Sequence, residues 1–322
     1  LSGACLLAGL LLFLSDAPLA GGLLGGLASM QNPSIVAFFG FAPLLKFCLR
    51  RRAGGRLTLQ LRAVFTRRDL IGLAAGVALF ALPPLFNLWL YGVPNLIAKR
   101  FSNPALIGIP RLESFYFDLN QGMVLGIPGV LAALLLWRRE RRPVSLVLCL
   151  LFSLALALPT LAVLNWNSGA IGMMRYASWA AMPILLALLL RLRAYPRLPL
   201  GLAAGLLLVQ AAAMAHAFSY EFNEFSPLAR QVLARAPGWY HPEPEIFAER
   251  MAHNDNYIET DKVYVYHPDG QPAKILFHPS NPKLDTMLCG PDAVLAAGNR
   301  ITGSAYGWRY LDGEVHCAPR KR

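Results

Sequence analysis

Apolar residues gather in seven runs over the first 218 positions, roughly 1–14, 33–49, 70–91, 121–137, 144–164, 179–190 and 198–218, separated by polar and charged segments. Crossing a hydrocarbon core of about 30 Å takes ~20 helical residues, with a workable range of ~17–25. The sixth run reaches that length if 172–177 continues its helix outward. The first begins at Leu1 and reads as the tail of a helix whose start precedes this sequence. Beyond Phe218 the pattern turns polar. The expectation is an α-helical polytopic membrane bundle of about seven transmembrane helices over 1–218, the first truncated, followed by a small α+β domain over 219–322.

Charge orients the bundle. Three basic segments lie between the runs: Lys46, Arg50, Arg51, Arg52, Arg56, Arg62, Arg67 and Arg68; then Arg138, Arg139, Arg141 and Arg142; then Arg191, Arg193 and Arg197. They alternate with the other loops, so the positive-inside rule places all three in the cytoplasm. The loops near 15–32, 92–120 and 165–178 then face outward, and after seven crossings so does the tail. Residues 1–218 carry 19 Lys/Arg against 5 Asp/Glu, and residues 219–322 carry 11 against 13, so the net charge of +12 belongs to the membrane part. Most of those cations are topology anchors without a recognition module, which argues against nucleic acid as a partner. The Ala-, Leu- and Arg-rich composition without an N-glycosylation sequon fits a bacterial inner membrane, with the tail in the periplasm.

Pro43, Pro83, Pro84, Pro128, Pro159 and Pro183 fall inside the runs, where proline serves ordinary bundle packing or breaks helices around a cavity. No run carries a charge in its middle, which weighs against an ion-coupled transporter. Gln210 and His216 sit in the last run, His216 in a structural role. The small-residue stretch 20–30 (AGGLLGGLASM) is expected to form a helix at the outer surface or a re-entrant one, stopping at Gln31-Asn32-Pro33.

In the tail, Ser226-Pro227 opens a helix to about Arg235, Ala236-Pro237-Gly238 ends it, and 242–253 offers a second helix with acids in its first turn. Residues 262–267 and 273–278 flank Pro268-Asp269-Gly270 as a hairpin. Residues 306–310 and 314–317 flank Asp312-Gly313 in the same way, giving about four strands. Cys289 and Cys317 are the only cysteines outside the bundle, and an oxidising compartment favours their disulfide. Their spacing does not match a metal site. Cys5, Cys48 and Cys149 behave as small apolar residues.

The outer loops hold the candidate chemistry. Lys99, Arg100, Arg111, Glu113, Asp118, Asn120 and Gln121 interleave with Phe115, Tyr116 and Phe117, and 165–178 adds Asn165, Trp166, Asn167, Arg175 and Tyr176. Cations on the outer face run against the charge rule, and a bound anion is the simplest reason for them. Arg175, beside Tyr176 and Trp179, either forks onto a lipid phosphate or snorkels to headgroups. Asp118 is an acid or base, or half of an ion pair with Arg111, and Glu113 has the second reading too. No P-loop, nucleophile elbow, paired-histidine motif or dinucleotide fingerprint occurs. Trp239, Tyr240, Trp308 and Tyr310 either stack on sugar rings or close a small core.

Residues 165–176 (NWNSGAIGMMRY), followed by the proline-containing helix ASWAAMPILLALLL, and residues 117–128 (FDLNQGMVLGIP) resemble the corresponding segments of bacterial polytopic glycosyltransferases of the GT-C superfamily. The likeness covers roughly 90–190. It implies sugar transfer from a polyprenyl-phosphate-linked donor at the outer face of the membrane, with cationic side chains on the lipid phosphate. In that superfamily the catalytic carboxylate lies in a first outer loop ahead of the part present here, so the catalytic residue is unknown. Arg175 and Tyr176 carry over as donor-phosphate contacts, whereas Lys99, Arg100 and Arg111 come from the residues themselves. The implied partners are membrane lipids, a lipid-linked sugar and an envelope glycan or lipid acceptor. No cofactor is identified, a divalent metal being admitted by the resemblance alone. Two other readings stay open: a non-catalytic envelope protein with a glycan- or partner-binding ectodomain, and an envelope-substrate transporter.

Overall fold

The computed structural model describes residues 1–50, 57–136, 143–164, 171–194, 199–254, 257–268 and 270–320. Arg51, Arg52, Arg56, Arg138, Arg139, Arg141, Arg142 and Arg197 of the basic clusters, Asn165, Trp166 and Asn167 of the second outer loop, and Asp269 lie outside the described residues. The helices in chain order are α1 (Ser2–Leu14), α2 (Pro18–Gln31), α3 (Phe38–Arg50), α4 (Leu57–Val64), α5 (Arg67–Tyr91), α6 (Leu96–Phe101), α7 (Ile109–Phe117) and α8 (Met123–Gly126). There follow α9 (Pro128–Leu136), α10 (Pro143–Thr160), α11 (Arg175–Ala194), α12 (Leu200–Ala217), α13 (Pro227–Arg235), α14 (Pro244–Ala252) and α15 (Leu284–Cys289). The chain forms two compact units. One holds Leu1–Ser102, Ile127–Val163 and Tyr176–Gln210, and the other holds Asn103–Gly126, Leu164–Arg175 and Ala211–Arg322. The second unit therefore takes in segments of the loops 92–120 and 165–178 as well as the tail.

Five described helical segments are long and apolar enough to cross a membrane: Pro33–Arg50, α5, α10, α11 and α12. The chain is thus mostly helical and of membrane type, while the count of seven spans rests on the sequence alone. Helix α5 begins in a capping box, with Thr66 accepting from the Asp69 amide and Asp69 accepting from that of Thr66, and ends on Gly92 at φ 67°, a left-handed position that favours glycine. Its 25 residues extend about 37 Å. Leu82, Leu85, Phe86 and Trp89 project outward from it, and α12 buries no residue at all. Helices this apolar and this little covered by protein are suited to lipid.

The stretch around 20–30 is helical and stops at Gln31-Asn32-Pro33, as expected, and the structure adds what it packs against. It forms α2, whose Gly22 and Gly26 lie against the backbone of Gly72 and Gly76 of α5, while Gly21 meets Gly9 and Phe13 of α1. An added Cβ at Gly72 would stand 2.2 Å from the Pro18 carbonyl oxygen. Ser2 Oγ donates to Gln31 at one end of the α1–α2 pair, and Arg50 donates to the Leu14 carbonyl and pairs with Asp16 at 2.6 Å at the other. Residues 15–17 thus share an end with Arg50, and Gln31 lies at the opposite end. Close-fitting small residues let α2 run back along α1, although its 14 residues are too few to stand out as a span.

Pro43, Pro83, Pro84, Pro159 and Pro183 sit within continuous helices, whereas the run 121–137 breaks at Ile127-Pro128 into α8 and α9. The Gly129 amide at the start of α9 donates to Gln210 of α12 at 3.2 Å, which satisfies an orphan donor of that helix start. Lys46 and Arg191, two of the expected topology anchors, are both buried. Lys46 pairs with Asp69 beneath the Phe13 ring, and Arg191 donates to the Leu134 carbonyl of α9 at 2.7 Å.

The second unit carries the small sheet region. Strands β1 (Tyr264–Tyr266), β2 (Lys274–Phe277), β3 (Ala293–Leu295), β4 (Ile301–Gly303), β5 (Arg309–Asp312) and β6 (Cys317–Pro319) form a four-stranded antiparallel sheet in the order β1-β2-β5-β4 and a separate β3-β6 pair. The first expected hairpin is present as β1-β2, but the second is not formed. Strand β5 is taken on one edge by β2, with Lys274 opposite Asp312, and on the other by β4, so β6 pairs with β3 instead. Helix α13 starts at Ser226, whose Oγ accepts from the Ala229 amide at 3.1 Å. Phe225, Phe247, Leu276, Trp308 and Tyr310 form the core beneath α13 and α14. Cys289 and Cys317 are joined in a disulfide with Cα atoms 5.7 Å apart, while Cys5, Cys48 and Cys149 are free.

Candidate functional site

Helix α7 brings the outer-loop chemistry into the second unit. Arg111, Ser114, Phe115 and the following Asp118 recur at helical spacing and are all buried, so the polar side of this helix faces inward. Arg111 donates from Nε to Glu243 at 3.1 Å and from Nη2 to Glu245 at 2.7 Å, with its guanidinium 5.6 Å from the Tyr306 ring centroid. Glu243 is also the N-cap of α14, accepting from the Glu245 amide at 2.8 Å. Both carboxylates sit at a helix N-terminus, where the dipole favours them. Burial, opposed by the Arg111 charge and reinforced by the two glutamates, leaves the Tyr306 hydroxyl pushed up to about 12.

Asp118 closes the other end of α7. One oxygen accepts from the Asn120 and Gln121 amides at 2.8 and 3.1 Å, and the other accepts from the Tyr240 hydroxyl at 2.6 Å. Burial first, then the Asp118 charge and hydrogen bond, hold the Tyr240 phenol well above its ordinary range. Asn120 donates to Tyr240 at 2.8 Å, accepts from the Ser226 amide at 2.9 Å, and offers its carbonyl to Tyr220. Arg250 donates to Gln121 at 3.2 Å, and the Gln121 carbonyl accepts from Met174. Residues 118–121 are thereby fixed from several sides. The geometry makes Asp118 a positioning group tied to Tyr240, not a partner of Arg111. Arg111 likewise spends its fork on protein carboxylates.

A second polar cluster had no local signal in the sequence, because register assembles it. Lys274 at the start of β2 and Asp312 at the end of β5 are paired across the sheet and form an ion pair, with Lys274 also donating to the Pro237 carbonyl at 2.7 Å. The other Asp312 oxygen lies 2.9 Å from His241 Nε2. Burial pushes the Asp312 carboxyl up, but the hydrogen bonds and charges of His241 and Lys274 outweigh it, and the net shift is downward. An Asp–His pair can serve as a general base for a nucleophile, yet among the described residues no Ser, Thr or Cys side chain is hydrogen-bonded to His241. The cluster reads as structural.

The remaining candidates fall in both units. Lys99 and Arg100 are exposed on α6 in the first unit. Arg175 is exposed at the head of α11, and Tyr176 after it is half-buried with its ring edge-on to Trp179 at 5.1 Å. Tyr240, Trp308 and Tyr310 belong to the core, while Trp239 is 88% exposed. Among the described residues no group of three or more His, Cys, Asp or Glu side chains is arranged to hold a metal. No known protein family, curated protein or solved structure matches the chain.

Proposed function

We propose that this chain is a multi-pass protein of a bacterial inner membrane whose second unit faces the periplasm, and that it binds a polyprenyl-phosphate-linked sugar for transfer at the outer face, as its resemblance to GT-C glycosyltransferases implies. The three arginine-bearing segments and the confinement of the disulfide to the C-terminal region support the orientation. Return of α2 along α1 adds a short pass between α1 and α3 without altering the side of the C-terminal unit.

The observation that carries the ligand is Arg175. It stands exposed at the first position of a 20-residue apolar helix, at the end opposite the Arg191 and Arg193 terminus. A guanidinium there can meet two phosphate oxygens, a geometry that lysine does not reproduce. Arg175→Lys is expected to weaken binding of a polyprenyl-phosphate probe to the full chain in nanodiscs by about 1–3 kcal/mol. Arg193→Lys, exposed at the other end of the same helix, is expected to leave binding unchanged. Equal losses in the two variants would make Arg175 an interfacial anchor only.

A second reading has its own support. Arg111 and Asp118 are both held by partners in their own unit, which supports a structural role for these two candidate groups. A non-catalytic envelope protein with a partner-binding ectodomain fits that arrangement, and failure of the wild-type chain to bind the probe would favour it.

A further inference from the structure

Helix α7 is amphipathic the wrong way round for a helix bathed in water. Its inner face is Arg111, Ser114, Phe115 and the adjoining Asp118; its outer face is Ile109, Pro110, Leu112, Glu113, Tyr116 and Phe117. Ile109 is 71% and Phe117 65% exposed, while a cation and an anion are sealed inside. Packing polar groups inward and leaving large apolar side chains outward costs free energy unless something apolar covers them.

Its position within the second unit identifies the cover. The Asn120 carbonyl, three residues beyond Phe117, accepts the Tyr220 hydroxyl, and the Tyr220 ring lies 5.6 Å from His216 in the last turn of α12. Gly172 packs against Ala217, the last residue of α12, and the neighbouring Met174 amide is bonded to Gln121. The C-terminal end of α7 is thus tied to the point where a membrane-length helix ends. Phe218, the next residue, is 79% exposed. We infer that the outer face of α7, with Phe218, lies in the headgroup–acyl boundary of the bilayer at the exit of α12, as an interfacial helix. Glu113, the one charged group on that face, keeps the helix shallow, at headgroup depth. The inference needs α12 to span the membrane but does not depend on any sugar ligand.

Spin labels test it on the full chain in phosphatidylethanolamine–phosphatidylglycerol vesicles. Ile109→Cys and Phe117→Cys, in a background with Cys5, Cys48 and Cys149 replaced by Ala, are compared with Gln271→Cys in the exposed polar turn before β2. Thermal unfolding midpoints equal to that of the cysteine-depleted parent report that each variant has folded. The labels at 109 and 117 are expected to collide several-fold less with a water-soluble nickel chelate than the label at 271, and several-fold more with membrane-dissolved oxygen. Nickel collisions equal to those at 271 would place α7 in water. Low collision with both reagents would mean that protein covers the face. Either result overturns the assignment.

Discussion

Arg111 illustrates how little of a buried ion pair is visible from the residue itself. In sequence it has Glu113 and Asp118 close by, and a local pair was the natural expectation. Its partners are Glu243 and Glu245, all three side chains being less than a tenth exposed. Removing the guanidinium strands two carboxylates where water cannot reach them. Arg111→Met is therefore expected to destabilise the second unit by about 3–5 kcal/mol, the usual cost of breaking a buried pair from one side. Thermal unfolding of the disulfide-intact chain measures it; a loss below about 1 kcal/mol would mean that the glutamates find other donors or protonate. The sequence did carry a trace of the pairing. The acids of 242–245 are legible as first-turn helix acids, but what they face is decided by a segment more than 120 positions away, beyond the reach of local pattern. The Lys274–Asp312–His241 cluster was hidden for the same reason, since only strand register puts Lys274 opposite Asp312.

At the level of elements, composition revealed the helices and not their neighbours. The small residues of AGGLLGG mark a helix in the sequence, but nothing there pairs them with Gly72 and Gly76, which only the structure brings against Gly22 and Gly26. A side chain at Gly72 must displace backbone, because the Pro18 carbonyl occupies its space. Gly40, in the same unit, has nothing within 4 Å of its Cβ position. Gly72→Leu is expected to lower stability by about 1–3 kcal/mol through overpacking, while Gly40→Ala holds it level or raises it through better helix propensity. Comparison of their unfolding midpoints in one detergent decides the matter, and equal midpoints would remove the α2–α5 contact as a determinant of the fold. The missed hairpin has the same origin. Asp312-Gly313 carries a turn signal, and Gly313 does adopt φ 89°, but a turn does not dictate that its two flanks pair with each other. Strand β5 is central, with both edges taken, so β6 had to find β3.

At the scale of the whole molecule, a charge rule counts cations by position and is blind to whether they are solvated. Lys46 and Arg191 are buried, yet the first segment keeps Arg50, exposed Arg62 and the flanks of α5, and the third keeps exposed Arg193, so the proposed orientation does not rest on the two buried cations. What changes is the path near the start. Arg50 binds Leu14 and Asp16, and therefore whichever side holds the Arg50 end of α3 also holds the α1–α2 turn. A membrane-impermeant maleimide separates the alternatives with three single cysteines in the same cysteine-depleted background: Gln271→Cys, Arg62→Cys and Asp16→Cys. Intact spheroplasts are expected to label position 271 alone, and lysed cells all three, since Asp16 is 72% exposed and Arg62 is exposed on α4. Labelling of 16 together with 271 in intact cells would put the turn outside and restore an unbroken outer loop over 15–32. Labelling of 62 in place of 271 would invert the whole protein, bring the second unit into the reducing cytoplasm where its disulfide does not persist, and leave Arg175 on the wrong side to meet a lipid-linked sugar at the outer face.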